Sequence, residues 1–342
     1  MKRRNLMWIA LLCIALLVFV AACAQKPAEK PAEKPKEAPK TTTLTWTAGS
    51  MGGGWYSQAG GFGELMTKKN TGISLKVIPG GGVQNVPLVN KGDCEIGWGL
   101  PPLVAAAAAG EDPYTEKYTN VRGIATDLGI SYFHFLVADD SPYKTIKDVL
   151  TSKKPIRITV SVVGSSDEWV FRKVMAFYGT SYDKLKANGS KIFHAGYADQ
   201  ATQFKDKNVD VYFTFLGLPG AAVTEASIGR PMRILEWPDD LLQALSKFNL
   251  GSGVIPAGTY PKAVNGDKDV KTATMSNCVI VNKNVPDDIV YTITKTICDN
   301  LEETKAIHPA FKVFDPSKAW DKIGAPLHPG AEKYYKEKGY IK

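Results

Sequence analysis

The residues best suited to chemistry in this chain sit in three glycine-rich turns. The first is Gly49-Ser50-Met51-Gly52-Gly53-Gly54-Trp55-Tyr56, the second Gly80-Gly81-Gly82, and the third Gly164-Ser165-Ser166, followed by Asp167 and Glu168. Glycine has no Cβ, so a turn built from it bends sharply and lets a ligand approach the backbone. Where such a turn opens a helix, the first N–H groups have no partner and carry a partial positive charge. That arrangement holds a carboxylate or a phosphate without a cationic side chain. For the first stretch, taken alone, a turn with no ligand is the equal alternative. It is not a Walker loop, because no Gly-Lys-Ser/Thr follows, and a dinucleotide Gly-x-Gly-x-x-Gly does not fall in register.

Catalytic constellations are missing from the pattern. The four histidines, His134, His194, His308 and His328, form no His-Glu-x-x-His, and there is no Gly-x-Ser-x-Gly elbow. His134 lies inside a strand-like run and reads as a core histidine, and His328, before Pro329, as a surface or packing residue. Asp167 and Glu168 at a helix start have sufficient reason in the helix dipole, and Asp239-Asp240 reads as a helix cap. The expectation is therefore no catalytic residue, no metal and no cofactor: a binding protein and not an enzyme.

The elements that position these turns alternate strand and helix. Leu44–Thr47 reads as a strand before the first turn, and Gly60–Lys69 as a helix after it. Ser74–Ile78 is a second strand, ending at Gly80-Gly81-Gly82, with a short helix from Val83. Glu95–Leu100 is a third strand, and Pro101 opens an alanine-rich helix. Val121–Thr126 and Tyr132–Ala138 read as two further strands. The pattern restarts after Asp139: strand Ile156–Val163, helix Asp167–Tyr178, strand Lys191–His194, helix Tyr197–Lys207, and strand Val209–Phe215, ending at Leu216-Gly217. Asn277–Val281 is a returning strand, and a helix with an apolar stripe of Val290, Ile293, Ile297 and Leu301 runs to Glu303. This order predicts a largely parallel sheet with helices on its faces. Ligands in such sheets bind at the carboxyl ends of strands, where all three turns fall. Two units facing each other would form a cleft with helix starts on both walls.

The formal charge of +8 resides mostly outside this body, because residues 1–40 hold eight Lys or Arg against three Glu. No basic cluster with interleaved aromatics occurs, so no nucleic-acid partner is expected. Met1-Lys2-Arg3-Arg4 followed by an apolar run to Ala22 reads as an export signal. Val20-Ala21-Ala22-Cys23 fits a bacterial lipobox, with Cys23 the lipidated residue; an uncleaved anchor is the rival, although the run is short for a full span. Residues 24–40 repeat Lys, Pro, Ala and Glu and read as an extended tether. Either reading places the body outside the cytoplasmic membrane; in the lipobox reading it is tied to the membrane through Cys23. Of five cysteines, Cys94, Cys278 and Cys298 fall in the body; a Cys278–Cys298 disulfide is conceivable, and buried thiols are the plainer reading.

Several segments together resemble one family. Gly49-x-x-Gly52-Gly53-Gly54-Trp55-Tyr56 is similar to its opening Gly-Gly-x-Tyr-Tyr turn, and Gly80-Gly81-Gly82-Val83-Gln84-Asn85 to its Gly-Gly-Ser-Val-Glu-Asn turn. Ile255-Pro256-Ala257-Gly258-Thr259-Tyr260-Pro261 and Pro326-Leu327-His328-Pro329-Gly330-Ala331-Glu332-Lys333-Tyr334-Tyr335 are close to its signature segments, and Leu301 with His308-Pro309-Ala310 also fits. The family is the TAXI group of solute receptors for tripartite ATP-independent periplasmic (TRAP) transporters. The resemblance runs from about residue 43 to the C-terminus. It implies an α/β, two-lobed periplasmic-binding-protein fold of type II, closing on a small solute that is passed to the membrane subunits of an ion-driven permease. The implied organisation is a signal over 1–22, a lipidated tether over 23–42, one lobe from 43–137 with 263–342, and a second lobe over 138–262. Family ligands are carboxylates of the glutamate-like or dicarboxylic kind. The second-lobe turn, Gly-Ser-Gly-Thr-Glu in many members, maps onto Gly164, Ser165, Ser166, Asp167 and Glu168, so glycine is replaced by Ser166 and threonine by Asp167. Where members offer a glutamine or serine after the third strand, this chain has the apolar Gly97-Trp98-Gly99-Leu100-Pro101.

The candidate ligand contacts are Gly53, Gly54, Trp55, Tyr56, Gly81, Gln84, Trp98, Ser165, Ser166, Asp167, Phe213, Thr214 and Gly217. Backbone N–H groups near Gly53, Gly54, Ser165 and Ser166 would hold an anionic end, with the Tyr56 and Ser165 hydroxyls adding donors. Trp55, Tyr56, Trp98 and Trp169 would line a wider aromatic pocket, core packing being the alternative for Trp98 and Trp169. A receptor that reports occupancy to a membrane signalling protein, and transports nothing, is the second functional reading.

Overall fold

The computed structural model describes residues 41–51 and 53–342. The expected export signal, the Cys23 lipid site and most of the tether lie outside the described residues. Among the described residues no helix is long and apolar enough to cross a membrane.

The first lobe is built around three parallel strands. β1 (Thr42–Thr47) pairs with β2 (Ile73–Ile78) on one side and β3 (Ile96–Gly99) on the other. Between β1 and β2 runs α1 (Gly54–Lys68), which buries Gln58, Ala59, Phe62, Leu65 and Met66 on one stripe. The helix starts six residues before the Gly60 that the sequence suggests. Four glycines in Gly53–Gly61 argue against helix by propensity, but packing of Gln58, Ala59 and Phe62 outweighs that cost of about 1 kcal/mol each. A short helix α2 (Asn85–Lys91) and the Pro-initiated α3 (Pro101–Ala109) complete the crossovers.

β4 (Val121–Ala138) is one strand of 18 residues, where the sequence pattern suggests two. Its first part pairs antiparallel with the end of β10 (Val270–Asn282), and its last part, Tyr132–Val137, pairs with β7 (Val211–Leu216). The change of partner coincides with Asp127 (φ 55°) and Gly129 (φ 149°), left-handed residues that bend the strand without ending it. The register of β10 with β4 shifts at the same level: between the pairs Ser276 with Ile130 and Cys278 with Thr126, Asn277 alone stands opposite Asp127–Gly129, so the bulge is on β4. β10 begins seven residues before the expected Asn277, because its first part pairs with β9 (Gly251–Ile255).

The second lobe repeats the alternation. β5 (Arg157–Ser161) lies parallel between β6 (Lys191–Ala195) and β7. A short helix α4 (Ile146–Leu150) precedes β5, and α5 (Ser166–Phe177), α6 (Tyr182–Ala187) and α7 (Tyr197–Lys205) follow in turn. After β7 come α8 (Ala221–Gly229), the edge strand β8 (Met232–Ile234) and α9 (Asp239–Ser246). The resulting sheet has ten strands, eight of them in the order β2-β1-β3-β10-β4-β7-β5-β6, with β8 beside β4 and β9 beside β10. It is a two-lobed mixed α/β fold in which, among the described residues, β4 and β10 pair within both halves of the sheet.

The C-terminal segment returns to the first lobe. α10 (Asp287–Asp299) buries Val290, Ile293 and Ile297 on one face. It stops at Asn300, and α11 (Leu301–Ile307) sets off anew, so the single helix expected to Glu303 is two. A 3-10 turn (Pro309–Val313) and α12 (Pro329–Glu337) follow. His328 caps α12: its Nδ1 accepts from the Gly330 N–H at 3.2 Å, and the ring is buried. Cys94, Cys278 and Cys298 are buried and unbridged, and burial pushes the Cys298 thiol up to about 12.

Candidate functional site

The carboxyl ends of β1, β5 and β7 open onto one cavity between the two halves of the sheet. Each wall comes from a strand-to-helix turn, and the first is held by one buried side chain. Asn85 Nδ2 donates to the carbonyls of Ala48 (2.7 Å) and Trp98 (2.8 Å), and its Oδ1 accepts from the Gly81 N–H (2.9 Å) and the Thr47 hydroxyl (2.8 Å). One amide thus ties the ends of β1 and β3 to the second glycine turn. Gly80 must be glycine for this, since a Cβ there would stand 2.2 Å from Asn85 Oδ1. The first turn leads into α1 with Gly53 as N-cap and no side-chain cap, so helix geometry leaves the Gly54 and Trp55 N–H groups without a carbonyl behind them.

The second wall is the start of α5. Gly164 (φ 85°) turns the chain, and Ser165 caps the helix by accepting the Glu168 N–H at 3.3 Å. Asp167 sits within the first turn, fully buried. Its Oδ2 accepts from the Ser161 hydroxyl (2.6 Å) and the Phe215 N–H (3.0 Å). Its Oδ1 has two long side-chain contacts among the described residues, from the Ser166 hydroxyl (3.3 Å) and the Tyr197 hydroxyl (3.5 Å), and the Asp167 N–H also acts on the carboxylate. Burial raises the Asp167 carboxyl to about 6, and its hydrogen bonds offset only part of that.

Two more elements complete the enclosure. His308, between α11 and the 3-10 turn, accepts the Ala310 N–H on Nδ1 at 3.1 Å, and Gln58 Nε2 lies 3.1 Å from the same nitrogen. A ring whose Nδ1 accepts carries its proton on Nε2. Burial lowers the imidazole below its ordinary value and keeps it neutral. Nε2 lies 3.3 Å from where a Cβ of Gly54 would be, so the ring offers a neutral N–H donor beside the start of α1. The two shared strands supply Ser131 and Asn277. Asn277, opposite the bulge of β4, lines the cavity.

The lobes meet closely around the cavity. A Cβ on Gly53 would stand 2.9 Å from the ring of Tyr197, and one on Gly82 would stand 2.9 Å from Ser166 Cβ. Gln84 Nε2 reaches the Val163 carbonyl at 3.4 Å across the rim. The cavity measures about 610 Å³ counting its mouth, of which about 50 Å³ admits the centres of water-sized spheres. At roughly 10–15 Å³ for each water so measured, that is a space for a few waters or one short organic molecule. Among the described residues that line it, none is Lys or Arg.

Of the residues proposed from sequence, Gly53, Gly54, Trp55, Gly81, Ser165, Ser166, Asp167 and Gly217 line this cavity. Tyr56, Gln84, Trp98, Phe213 and Thr214 do not. The Tyr56 hydroxyl is 3.4 Å from the Val77 carbonyl, on the outer side of β2, and Gln84 stays at the rim. Trp98 is fully buried; its Nε1 donates to the Trp55 carbonyl at 2.9 Å and its ring stacks on Trp55 at 5.9 Å, so it supports a lining residue from behind. Phe213 lies in an aromatic core with Phe133, Phe171 and Trp237, and Thr214 faces His134 across the ladder. Only the end of β7 reaches the cavity, through Phe215, Leu216 and Gly217. Trp169 Nε1 donates to Asp112 at 3.0 Å, and Trp169 does not line the cavity. The Ser165 hydroxyl serves the helix cap. Lining residues that sequence reasoning missed include Gln58, Ser131, Tyr197, Asn277 and His308. Gly196-Tyr197 is a fourth strand-to-helix turn, a signal open to the same reasoning as the other three. Asn277 is a lone amide heading an apolar run.

The description of NMT1-like proteins matches residues 46–339, nearly the whole described body. The chain belongs to the NMT1-like family. Solved structures similar to this NMT1-like chain include the periplasmic aliphatic sulphonate binding protein SsuA from Escherichia coli, at 16% identity over 87% of this chain and 79% of that one, with a TM-score of 0.42. A binding protein component of an ABC phosphonate transporter from Pseudomonas aeruginosa is 11% identical over 80% of each chain, with a TM-score of 0.49. PhnD1 from Prochlorococcus marinus, in complex with methylphosphonate, is 13% identical over 89% of this chain and 100% of that one, with a TM-score of 0.48. In this NMT1-like chain the cavity offers backbone and neutral side-chain donors on one wall and a buried carboxylate on the other.

Proposed function

We propose that the protein is an extracytoplasmic receptor that captures one small organic solute between its lobes and delivers it to a membrane transporter. The observation that carries the reading is the cavity itself: small, closed by glycine-to-side-chain contacts between the lobes, and walled by the starts of α1 and α5. The Gly54 and Trp55 N–H groups with His308 Nε2 form the wall suited to an anionic end, most simply a carboxylate. The lobes hinge where β4 and β10 change partners, near residues 127–131 and 275–277. The finer assignment is a receptor of the TAXI group that serves a TRAP permease, tethered through a lipid on Cys23; it rests on the motif resemblance and the lipobox. Binding without turnover is the expected activity.

The test is a melting-shift screen of the purified chain against organic acids, amino acids and amines, followed by calorimetry and by NMR of the recovered solute. A ligand at 100 times its Kd stabilises the folded state by about 2.7 kcal/mol, which is several degrees for a chain of this size. A shift with the solute recovered unchanged supports the reading. Conversion of the solute, or silence across the whole screen, sinks it.

A further inference from the structure

The cavity contains an ionisable carboxylate, and among the described residues that line it there is no cationic side chain to balance it. Asp167 Oδ2 is saturated by Ser161 and the Phe215 N–H, whereas the side-chain contacts of Oδ1 among the described residues are the long ones from Ser166 and Tyr197, two residues that also line the cavity. An ionised carboxylate oxygen so placed has acceptor capacity to spare, and leaving it unpaired in a buried site is costly. The start of α5 contributes its own partial positive charge, but Asp167 already occupies that field from within the first turn. A purely anionic solute would meet favourable donors beside α1 and an unscreened carboxylate beside α5.

We infer that Asp167 is a cation subsite: the solute that fits this cleft carries, apart from its anionic end, a protonated nitrogen that donates to Asp167 Oδ1. The inference rests on the receptor reading and sharpens it to solutes with both charges, or with a cationic nitrogen alone, against simple mono- and dicarboxylates. With its carboxyl near 6, Asp167 is ionised at neutral pH and ready to accept from an incoming cation. Among nearby cationic groups, Arg172 is committed to Glu168 at 3.0 Å and His308 is neutral, so neither supplies the missing positive charge.

The test uses matched pairs on the full chain by calorimetry: alanine with propionate, and 4-aminobutyrate with butyrate, plus succinate. The aminated member of at least one pair is expected to bind at least about tenfold more tightly than its partner. In Asp167→Asn, whose amide oxygen can still accept from Ser161 and Phe215, that preference should fall to within about threefold while the non-aminated acid binds as well or better. Binding of propionate and of butyrate at least as tight as that of their aminated partners, or of succinate tighter than every aminated compound, overturns the cation subsite and leaves the receptor reading standing. A preference for the aminated member that Asp167→Asn leaves intact overturns it too. Failure of every compound to bind overturns the subsite as stated, whereas the receptor reading stands or falls with the wider screen. The comparison within the unmodified chain decides the matter even where the variant is poorly folded.

Discussion

Closure of the lobes depends on Gly53 having no side chain, and Gly53→Ala isolates that dependence. Gly53 has φ −87° and ψ 155°, a region any residue adopts, so the new methyl strains no backbone. In the closed arrangement the methyl would stand 2.9 Å from Tyr197 Cε2 and 3.1 Å from Cδ2. Carbon–carbon contacts are best at about 3.5–4.0 Å, so the ring must retreat by more than half an ångström or the lobes must stay apart. Overpacking of this kind costs roughly 1–3 kcal/mol. Tyr197 belongs to the opposite lobe, so only the closed state bears it, and affinity should fall by about 5- to 150-fold. The contact with the Ser50 carbonyl at 3.1 Å and the poorer N-cap that Ala makes are present in either state, so they should cost the fold about 1 kcal/mol with or without solute and leave affinity unchanged. Calorimetry with the solute found by screening reads the affinity, and small-angle scattering with and without it reads the closure. Adding Tyr197→Leu, which removes the ring carbons that clash, should recover part of the loss. The reasoning fails if affinity changes by less than about twofold, or if the unliganded melting temperature falls enough to show that the methyl damages the fold and not the closure.

Asp167 should also shape stability against pH. Its folded value of about 6 lies above the ordinary 3.8, so the folded chain holds a proton that the unfolded chain has released over that interval. Stability therefore falls as pH rises from about 4 to about 6 and is flat beyond, by roughly 3 kcal/mol at most. In Asp167→Asn that fall should disappear, so the variant's advantage in urea unfolding grows from nothing near pH 4 to its full size at pH 7; a difference independent of pH would refute the assignment. Trp98→Phe removes the Nε1 bond to the Trp55 carbonyl and should destabilise the fold by about 1 kcal/mol or somewhat more, with any loss of affinity following from displacement of Trp55. Reductant should leave the melting temperature unchanged to within a degree, since Cys278 and Cys298 are unbridged; a large drop would reveal a bond between them.

What the sequence could disclose follows from the range over which its signals act. Strand-to-helix alternation is local, and it placed β1, β2, β3, β5, β6 and β7 and the glycine turns at their carboxyl ends. The continuity of β4 was hidden by Asp127 and Gly129, whose left-handed backbone looks in sequence like the break between two strands, although pairing with β10 and β7 carries one strand through. The start of α1 was hidden for the opposite reason: glycines that disfavour helix locally are overruled by the burial of Gln58, Ala59 and Phe62. In the site the same divide decides what was visible. The backbone donors of α1 and α5 are properties of a turn and could be read directly. Whether a side chain beside a turn faces the cavity or the core depends on the strand face and on distant partners. Phe213 and Phe215 are two residues apart on one strand, yet the first fills the aromatic core and the second reaches the cavity. Trp98 looks like an aromatic wall in sequence and becomes a buried support because the Trp55 carbonyl accepts its N–H. His308 and Asn277 are the strongest case: they lie more than 200 residues from Gly54 in the chain and reach the cavity only because the C-terminal segment folds back onto the first lobe. The first glycine turn is thus half of a site whose donor character it announces. Asp167, buried across the cleft with one under-used oxygen, is the residue on which the choice of solute turns.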